Sequence, residues 1–217
     1  MDPSVAGGWR VWLFDLDKTL VNVEDGVDYC AALHALRERF PQARKREGLP
    51  PVEFTRCAVE VLSILDGLFG DPPRWQLASD TVEAYELAGA ARSTPMPGLE
   101  SLRSLRGTRP WAVVTLLGPR AAQEVLDRHG LQPDCLVARQ PDVRMKPAPD
   151  PVLRALQLLG ARPEEAVLVG DSSWDERSAR AAGVAFVGLT WGREQPFGPG
   201  ARVAHDLEEV TRLLLRW

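Results

Sequence analysis

Two textures of hydrophobic patterning divide the chain. Val-Trp-Leu-Phe at residues 11–14 shows no polar alternation, the pattern of a strand covered on both faces, and it stops abruptly at Asp15-Leu16-Asp17-Lys18-Thr19. Similar short apolar runs recur at 111–115, 135–138, 167–170 and 185–188. Helical stretches separate them. Leu99, Leu102 and Leu105 mark a short helix, 119–129 a helix ended by Gly130, and 150–160 a helix opened by Asp150-Pro151 and closed by Gly160. A further helix over 173–182 stops at Gly183, and Leu207, Val210 and Leu214 line a terminal helix. Strands alternating with helices predict an α/β fold, a doubly wound parallel sheet.

The second texture lies between the first strand and Ser93. Residues 21–26 suit an exit turn, after which Tyr29, Leu33, Leu36 and Phe40 recur at helical spacing. A basic, proline-bearing break over 41–51 follows. Phe54, Ala58, Val61, Leu65 and Leu68 predict a second helix, closed by Gly70-Asp71-Pro72-Pro73, and Trp75, Ala78, Val82 and Tyr85 a third. No strand-like run interrupts this region. It is expected to be an all-helical cap domain over 23–93, inserted into a core domain of residues 1–22 and 94–217. Pro95-Met96-Pro97-Gly98 is the expected hinge between them.

In open α/β sheets ligands bind beyond the carboxyl ends of the strands. Asp15 and Asp17 stand there, on the same side of the extended chain. Two carboxylates about 4 Å apart repel by roughly 4 kcal/mol at an effective dielectric of about 20, so a cation is needed between them. Mg²⁺, held by carboxylates and phosphate oxygens, meets that need. Thr115, Lys146, Asp171 and Asp175 each follow or lie beside another apolar run. Taken singly, each has an ordinary structural explanation. Asp-x-Asp can cap a strand, Thr115 can end one as a β-former, Lys146 can be a solvated lysine beside a proline-rich turn, and Asp175 can cap a helix.

Taken together and in this order, the four motifs resemble those of the haloacid dehalogenase superfamily of phosphohydrolases, and within it the phosphoglycolate phosphatase-like branch. The resemblance spans the chain outside roughly residues 25–93. It implies that Asp15 attacks phosphorus to form an aspartyl phosphate, while Asp17 acts as general acid and then general base. It further implies that Thr115 donates its hydroxyl to a phosphate oxygen and that Lys146 steadies nucleophile and phosphate. Asp15, Asp17, Asp171 and Asp175 form the implied Mg²⁺ site, Asp17 through its backbone carbonyl and Asp175 through water or by orienting a ligand. The implied activity is hydrolysis of a small, phosphoglycolate-like phosphomonoester beneath a closing cap. Asp17 and Asp171 speak against a metal-free dehalogenase. A phosphosugar mutase on the same core and a non-catalytic binding or sensing protein are the alternatives. Three residues depart from the family pattern: Lys18 where glycine is usual, Leu116 where asparagine commonly follows the threonine, and the bulky Trp174 between the last two acids.

Composition narrows the partners. Of 217 residues, 45% are hydrophobic and 26% charged, as in an ordinary soluble protein. A net charge of -4 and a pI near 5.5 argue against a nucleic-acid partner. The first residues lack the basic start and apolar core of a secretory signal, and no apolar run has the length of a membrane span. Cys30, Cys57 and Cys135 have no Cys-x-x-Cys spacing and are expected to be free, mostly buried thiols in the cytoplasm. The expected partner is a small phosphorylated metabolite, and the expected assembly a monomer or homodimer. His34, His129 and His205 lack metal-ligand spacing, and the seven tryptophans read as core and interface residues. Arg44-Lys45-Arg46-Glu47 reads as a solvated loop that could also meet a second anionic group on a substrate.

Overall fold

The computed structural model describes residues 8–43, 54–105, 107–194 and 196–216. Six parallel strands form the central sheet: β1 (Val11–Phe14), β4 (Trp111–Val114), β5 (Cys135–Val137), β6 (Ala166–Gly170), β7 (Ala185–Leu189) and β8 (Arg202–Ala204). Their order is β5-β4-β1-β6-β7-β8, so β1 lies inside the sheet with β4 on one side and β6 on the other. Side-chain alternation explains the unbroken apolar run of β1. Trp12 and Phe14 enter a cluster with Val125, Leu126, Leu207 and Val210, from α5 (Pro119–Arg128) and α8 (Leu207–Arg216). Val11 and Leu13 enter the cluster on the opposite face, with Val152, Leu156 and Ala179 of α6 (Asp150–Leu159) and α7 (Ser173–Ala182). Both faces of the strand are therefore dry, which leaves no position for a polar residue.

Three helices intervene between β2 (Val21–Asn22) and β3 (Thr94–Pro95): α1 (Tyr29–Arg39), α2 (Arg56–Gly67) and α3 (Pro72–Ala90). Each begins on the side chain of a polar residue, with Asp28, Thr55 and Asp71 accepting from backbone N–H groups of the first turn. β2 and β3 pair antiparallel, so the chain leaves and re-enters the sheet region at one place. Neither two-residue strand nor β8 carries a hydrophobic run long enough to have been legible, and all three depend on partners distant in sequence. A short helix, α4 (Leu99–Leu102), follows Gly98, whose φ of 80° is left-handed.

The apolar faces of α1 to α3 meet in a cluster of Leu36, Val61, Leu65, Trp75 and Val82, and Met145 and Trp174 join it from the sheet end. The Trp174 ring stands edge-on to Phe54 at 5.7 Å, and Leu116 packs against the same cluster. Two of the three departures from the family pattern thus pack the sheet end against the inserted helices.

Cys30 and Cys57 are joined in a disulfide with Cα atoms 5.1 Å apart, and Cys135 alone remains a free thiol. This corrects the expectation of three free cysteines. The first turns of α1 and α2 lie side by side, a proximity that a separation of 27 residues does not reveal. The basic run 44–47 lies outside the described residues.

A second link ties α3 to the sheet domain. Arg139, just past β5, is fully buried, and its guanidinium donates to both Glu86 oxygens at 2.7 and 3.0 Å, to Ser79 and to the Leu116 carbonyl. Glu86 also accepts from Gly118 N, while Glu83 accepts from Arg120 N and Nε, so two carboxylates of α3 satisfy the N-terminus of α5. A Cβ at Gly118 would lie 2.4 Å from Glu83 Oε1, so a larger residue there would displace the carboxylate from the start of α5. Arg139→Met is expected to cost about 3–5 kcal/mol, because it strands a buried carboxylate, and Arg139→Met with Glu86→Leu to recover most of it. Denaturant unfolding of both variants checks this; a single-variant loss below about 1 kcal/mol would show that Glu86 is satisfied without Arg139.

Candidate active site

The sheet reverses its strand order at β1 and β6, and that crevice is where an open α/β sheet binds ligands. Asp15 follows β1, its N–H bonded to the Val169 carbonyl at 2.9 Å, and Asp171 follows β6. Thr115 stands at the end of β4, and Asp175 lies in the first turn of α7. Lys146 arrives from the segment before α6. All five are almost fully buried.

Lys146 holds the arrangement together. Its Nζ donates to Asp15 Oδ1 at 2.7 Å, Asp175 Oδ1 at 2.6 Å and the Val114 carbonyl at 3.0 Å, which uses all three of its hydrogens. The other oxygen of Asp175 accepts from the Ser172 N–H and hydroxyl, and Ser172 Oγ accepts in turn from Asp175 N. Asp175 therefore caps α7 and pairs with Lys146 at once. Gly170 makes room for it, since a Cβ there would lie 2.5 Å from the Asp175 carboxyl carbon.

Asp15, Asp171 and Asp175 bring one carboxylate oxygen each within 4.8 Å of the others. Burial raises the pKa of Asp15 to about 6, against the pull of Lys146 and with repulsion from Asp175. Burial, together with repulsion from Asp15, Asp175 and Asp17, holds Asp171 well above the usual carboxylate range. Burial also disfavours the charge on Lys146, but Asp15 and Asp175 outweigh it and raise its pKa. These oxygen donors fit a small divalent cation, which relieves their repulsion where one lysine does not.

The carboxylate of Asp17 stands outside that group. Its Oδ1 accepts from Val23 N at 2.7 Å and Glu24 N at 3.1 Å, and burial raises its pKa to about 7 in spite of those two hydrogen bonds. Thr115 Oγ1 accepts from Leu117 N at 3.2 Å, which leaves its hydrogen for another acceptor. Thr19 donates to Asp171 at 3.4 Å. Lys18 adopts a φ of 60°, the left-handed region in which glycine is favoured, and its ammonium pairs with Asp25 away from the acids. Trp191 Nε1 donates to the Lys18 carbonyl at 2.7 Å and steadies that turn.

Asp15, Asp17, Thr115, Lys146, Asp171 and Asp175 all line one cavity, roofed by Glu24, Tyr29, Phe54, Ala58 and Leu62. The cavity holds about 40 Å³, space for a few waters. Of the roof residues, Tyr29, Phe54 and Ala58 were legible in the sequence as members of helical apolar stripes and Glu24 as part of an exit turn, and Leu62 was not singled out. Arg139 was visible as a charge just after a strand, but nothing in the sequence pointed to its partner.

An α/β sheet with this acid-lysine cluster at its switch point defines a hydrolase of a specific kind. The family profile "haloacid dehalogenase-like hydrolase" matches residues 9–183, and the chain belongs to that family. The N-acetylmuramic acid 6-phosphate phosphatase of Pseudomonas aeruginosa is 30% identical over 196 residues, covering 85% of this chain and 83% of its own. A phosphoglycolate phosphatase of Chromobacterium violaceum is 31% identical, covering 82% of this chain and 84% of its own. A haloacid dehalogenase-superfamily hydrolase of Geobacter sulfurreducens, subfamily IA, has the same fold at 24% identity, with a TM-score of 0.62 over 96% of this chain and 98% of its own. Within the family the chain falls among the phosphatases of phosphomonoesters. No helix among the described residues is long and apolar enough to cross a membrane.

Proposed function

We propose that this enzyme is a Mg²⁺-dependent phosphatase of a small phosphorylated metabolite, working through an aspartyl phosphate on Asp15. The observation that carries the reading is the convergence of Asp15, Asp171 and Asp175 within 4.8 Å, in a cavity also lined by Asp17, Thr115 and Lys146. Asp15, Asp171, Asp175 and the Asp17 carbonyl would hold Mg²⁺, which would supply the positive charge that lets a phosphate approach the carboxylates. Asp15, fixed by Lys146, attacks phosphorus. Asp17, fixed by the N–H groups of Val23 and Glu24, gives a proton to the leaving oxygen and then takes one from the water that hydrolyses the acyl phosphate. Thr115 donates its free hydrogen to a phosphate oxygen.

Residues 23–93 act as the cap, which closes over the bound phosphomonoester and excludes water. The buried Arg139–Glu86 pair holds α3 against the sheet domain and opposes a swing of the whole insertion. A cytoplasmic location belongs to the same reading.

The test is phosphate release over a panel of phosphorylated metabolites with Mg²⁺, with Ca²⁺ and with excess chelator. Activity is expected with Mg²⁺ and lost with chelator. Ca²⁺ is not expected to restore it, because its larger and looser coordination shell misplaces the phosphate. Full turnover in chelator would end the metal assignment.

A further inference from the structure

The cavity above the acids has a charge pattern that its catalytic residues do not explain. The roof contributed by the inserted segment is apolar at Phe54, Ala58 and Leu62, and its polar groups are the Tyr29 phenol and the Glu24 carboxylate. Burial and the neighbouring Glu86 and Asp17 push the Tyr29 phenol well above its usual pKa, so it is a neutral hydroxyl. Among the described residues that line the cavity, Lys146 is the only cation, and its three hydrogens are already engaged. Among the described residues, the nearby cations are committed elsewhere. Arg139 is spent on Glu86, Ser79 and Leu116, Lys18 pairs with Asp25, and Arg193 is 3.8 Å from Asp171 on the acid side. A leaving group that occupies this space meets, among the described roof residues, hydrocarbon, a neutral hydroxyl and one negative charge.

We propose that this cavity selects phosphomonoesters of small uncharged alcohols and rejects those whose leaving group carries a second anion, with Glu24 as the residue that discriminates. The proposal rests on the phosphatase reading and narrows it, away from the phosphoglycolate-like substrate expected from the sequence. Glu24 is held in place by its own role in the fold: its Oε1 accepts from Thr55 N at 3.2 Å, at the start of α2, and its backbone N–H binds Asp17. A carboxylate on the substrate entering within about 6 Å of Glu24 is disfavoured by charge repulsion. At an effective dielectric of about 20 this corresponds to about 10- to 100-fold in specificity. An alcohol hydroxyl instead finds an acceptor in Glu24 and a donor or acceptor in Tyr29.

Two nearly isosteric esters isolate the charge: 2-hydroxyethyl phosphate and 2-phosphoglycolate, with p-nitrophenyl phosphate reporting the phosphatase activity itself. The full-length enzyme with Mg²⁺ is expected to favour hydroxyethyl phosphate at least about 10-fold in kcat/KM. Glu24→Gln keeps the size and the acceptor for Thr55 N, and should cut that preference by about 10-fold, chiefly through a lower KM for phosphoglycolate. A purely structural role for Glu24 would change both substrates alike and leave the ratio unmoved, which would overturn its part. If p-nitrophenyl phosphate is hydrolysed but phosphoglycolate equals or exceeds hydroxyethyl phosphate, the charge selection is wrong while the phosphatase stands. If that preference for phosphoglycolate then disappears in Arg44→Ala/Lys45→Ala/Arg46→Ala, the basic run 44–46 supplies the cation. Turnover of none of the three esters removes the phosphatase reading and the substrate class with it.

Discussion

Asp15→Asn abolishes phosphate release from every ester, by roughly 10⁴-fold or more, because it removes the attacking oxygen anion itself. The amide brings no charge into a cluster that already holds Asp171 and Asp175 within 4.8 Å, so the variant is expected to fold. Asp17→Asn has a different signature. General acid help is worth about 10²- to 10⁴-fold, and only a poor leaving group needs it, so phosphorylation by an aryl phosphate suffers far less than by an alkyl phosphate. The later hydrolysis, in which Asp17 activates water, slows for both. A burst of phenol followed by slow turnover, with phosphate left on the Asp15 peptide, is the expected record in rapid-quench and mass measurements. Equal loss of the burst with aryl and alkyl substrates in both variants would show that the two acids do not divide the work. The separate anchoring of Asp17, on Val23 and Glu24 rather than on Lys146, is the physical basis for expecting that they do.

Lys146→Met destabilises the metal-free protein by about 3–5 kcal/mol at pH 7, since it leaves buried carboxylates with no counter-charge. The pH dependence follows from the sign of the shifts. Asp15 is raised from 3.8 to about 6 and Asp171 is also raised, so between about pH 4 and 6 the folded state binds more protons than the unfolded chain. Their contribution to stability is therefore greatest near pH 4 and declines as the pH rises through the folded pKa. Removing Lys146 raises those pKa values further, so the loss caused by the substitution is largest near pH 7 and smallest near pH 4. Urea unfolding of both proteins in chelator across that range checks it; a loss independent of pH would mean that Lys146 contributes through packing rather than charge.

The helices of the insertion show how local and tertiary information separate. Their spacing, caps and closing Gly-Asp-Pro-Pro were readable because helix starts and stops depend on residues within one turn. The motion expected at Pro95-Met96-Pro97-Gly98 is constrained by something the sequence did not disclose. Glu86 lies shortly before that stretch and is bound to Arg139, so rotation of the whole insertion would break a buried ion pair. The Cys30–Cys57 bond is of the same kind, set by how α1 and α2 pack and not by spacing along the chain.

By itself the sequence determined five of the six central strands and the helices between them, and its motifs, through their resemblance to a known family, named the six side chains that line the cavity at the carboxyl end of the sheet. The strands and helices follow from short-range patterning, and strands that are buried on both faces leave an apolar run that ends where the polar chemistry begins. The tertiary structure alone decided the rest. It turned the Asp17 carboxylate toward Val23 and Glu24, aimed Lys18 at Asp25 and packed Trp174 and Leu116 against the inserted helices. It also set Glu24 and Tyr29 over the acids as the charge pattern of the roof. Those outcomes depend on contacts between residues far apart in the chain, where a side chain's direction is fixed by what packs against it and not by its neighbours in sequence.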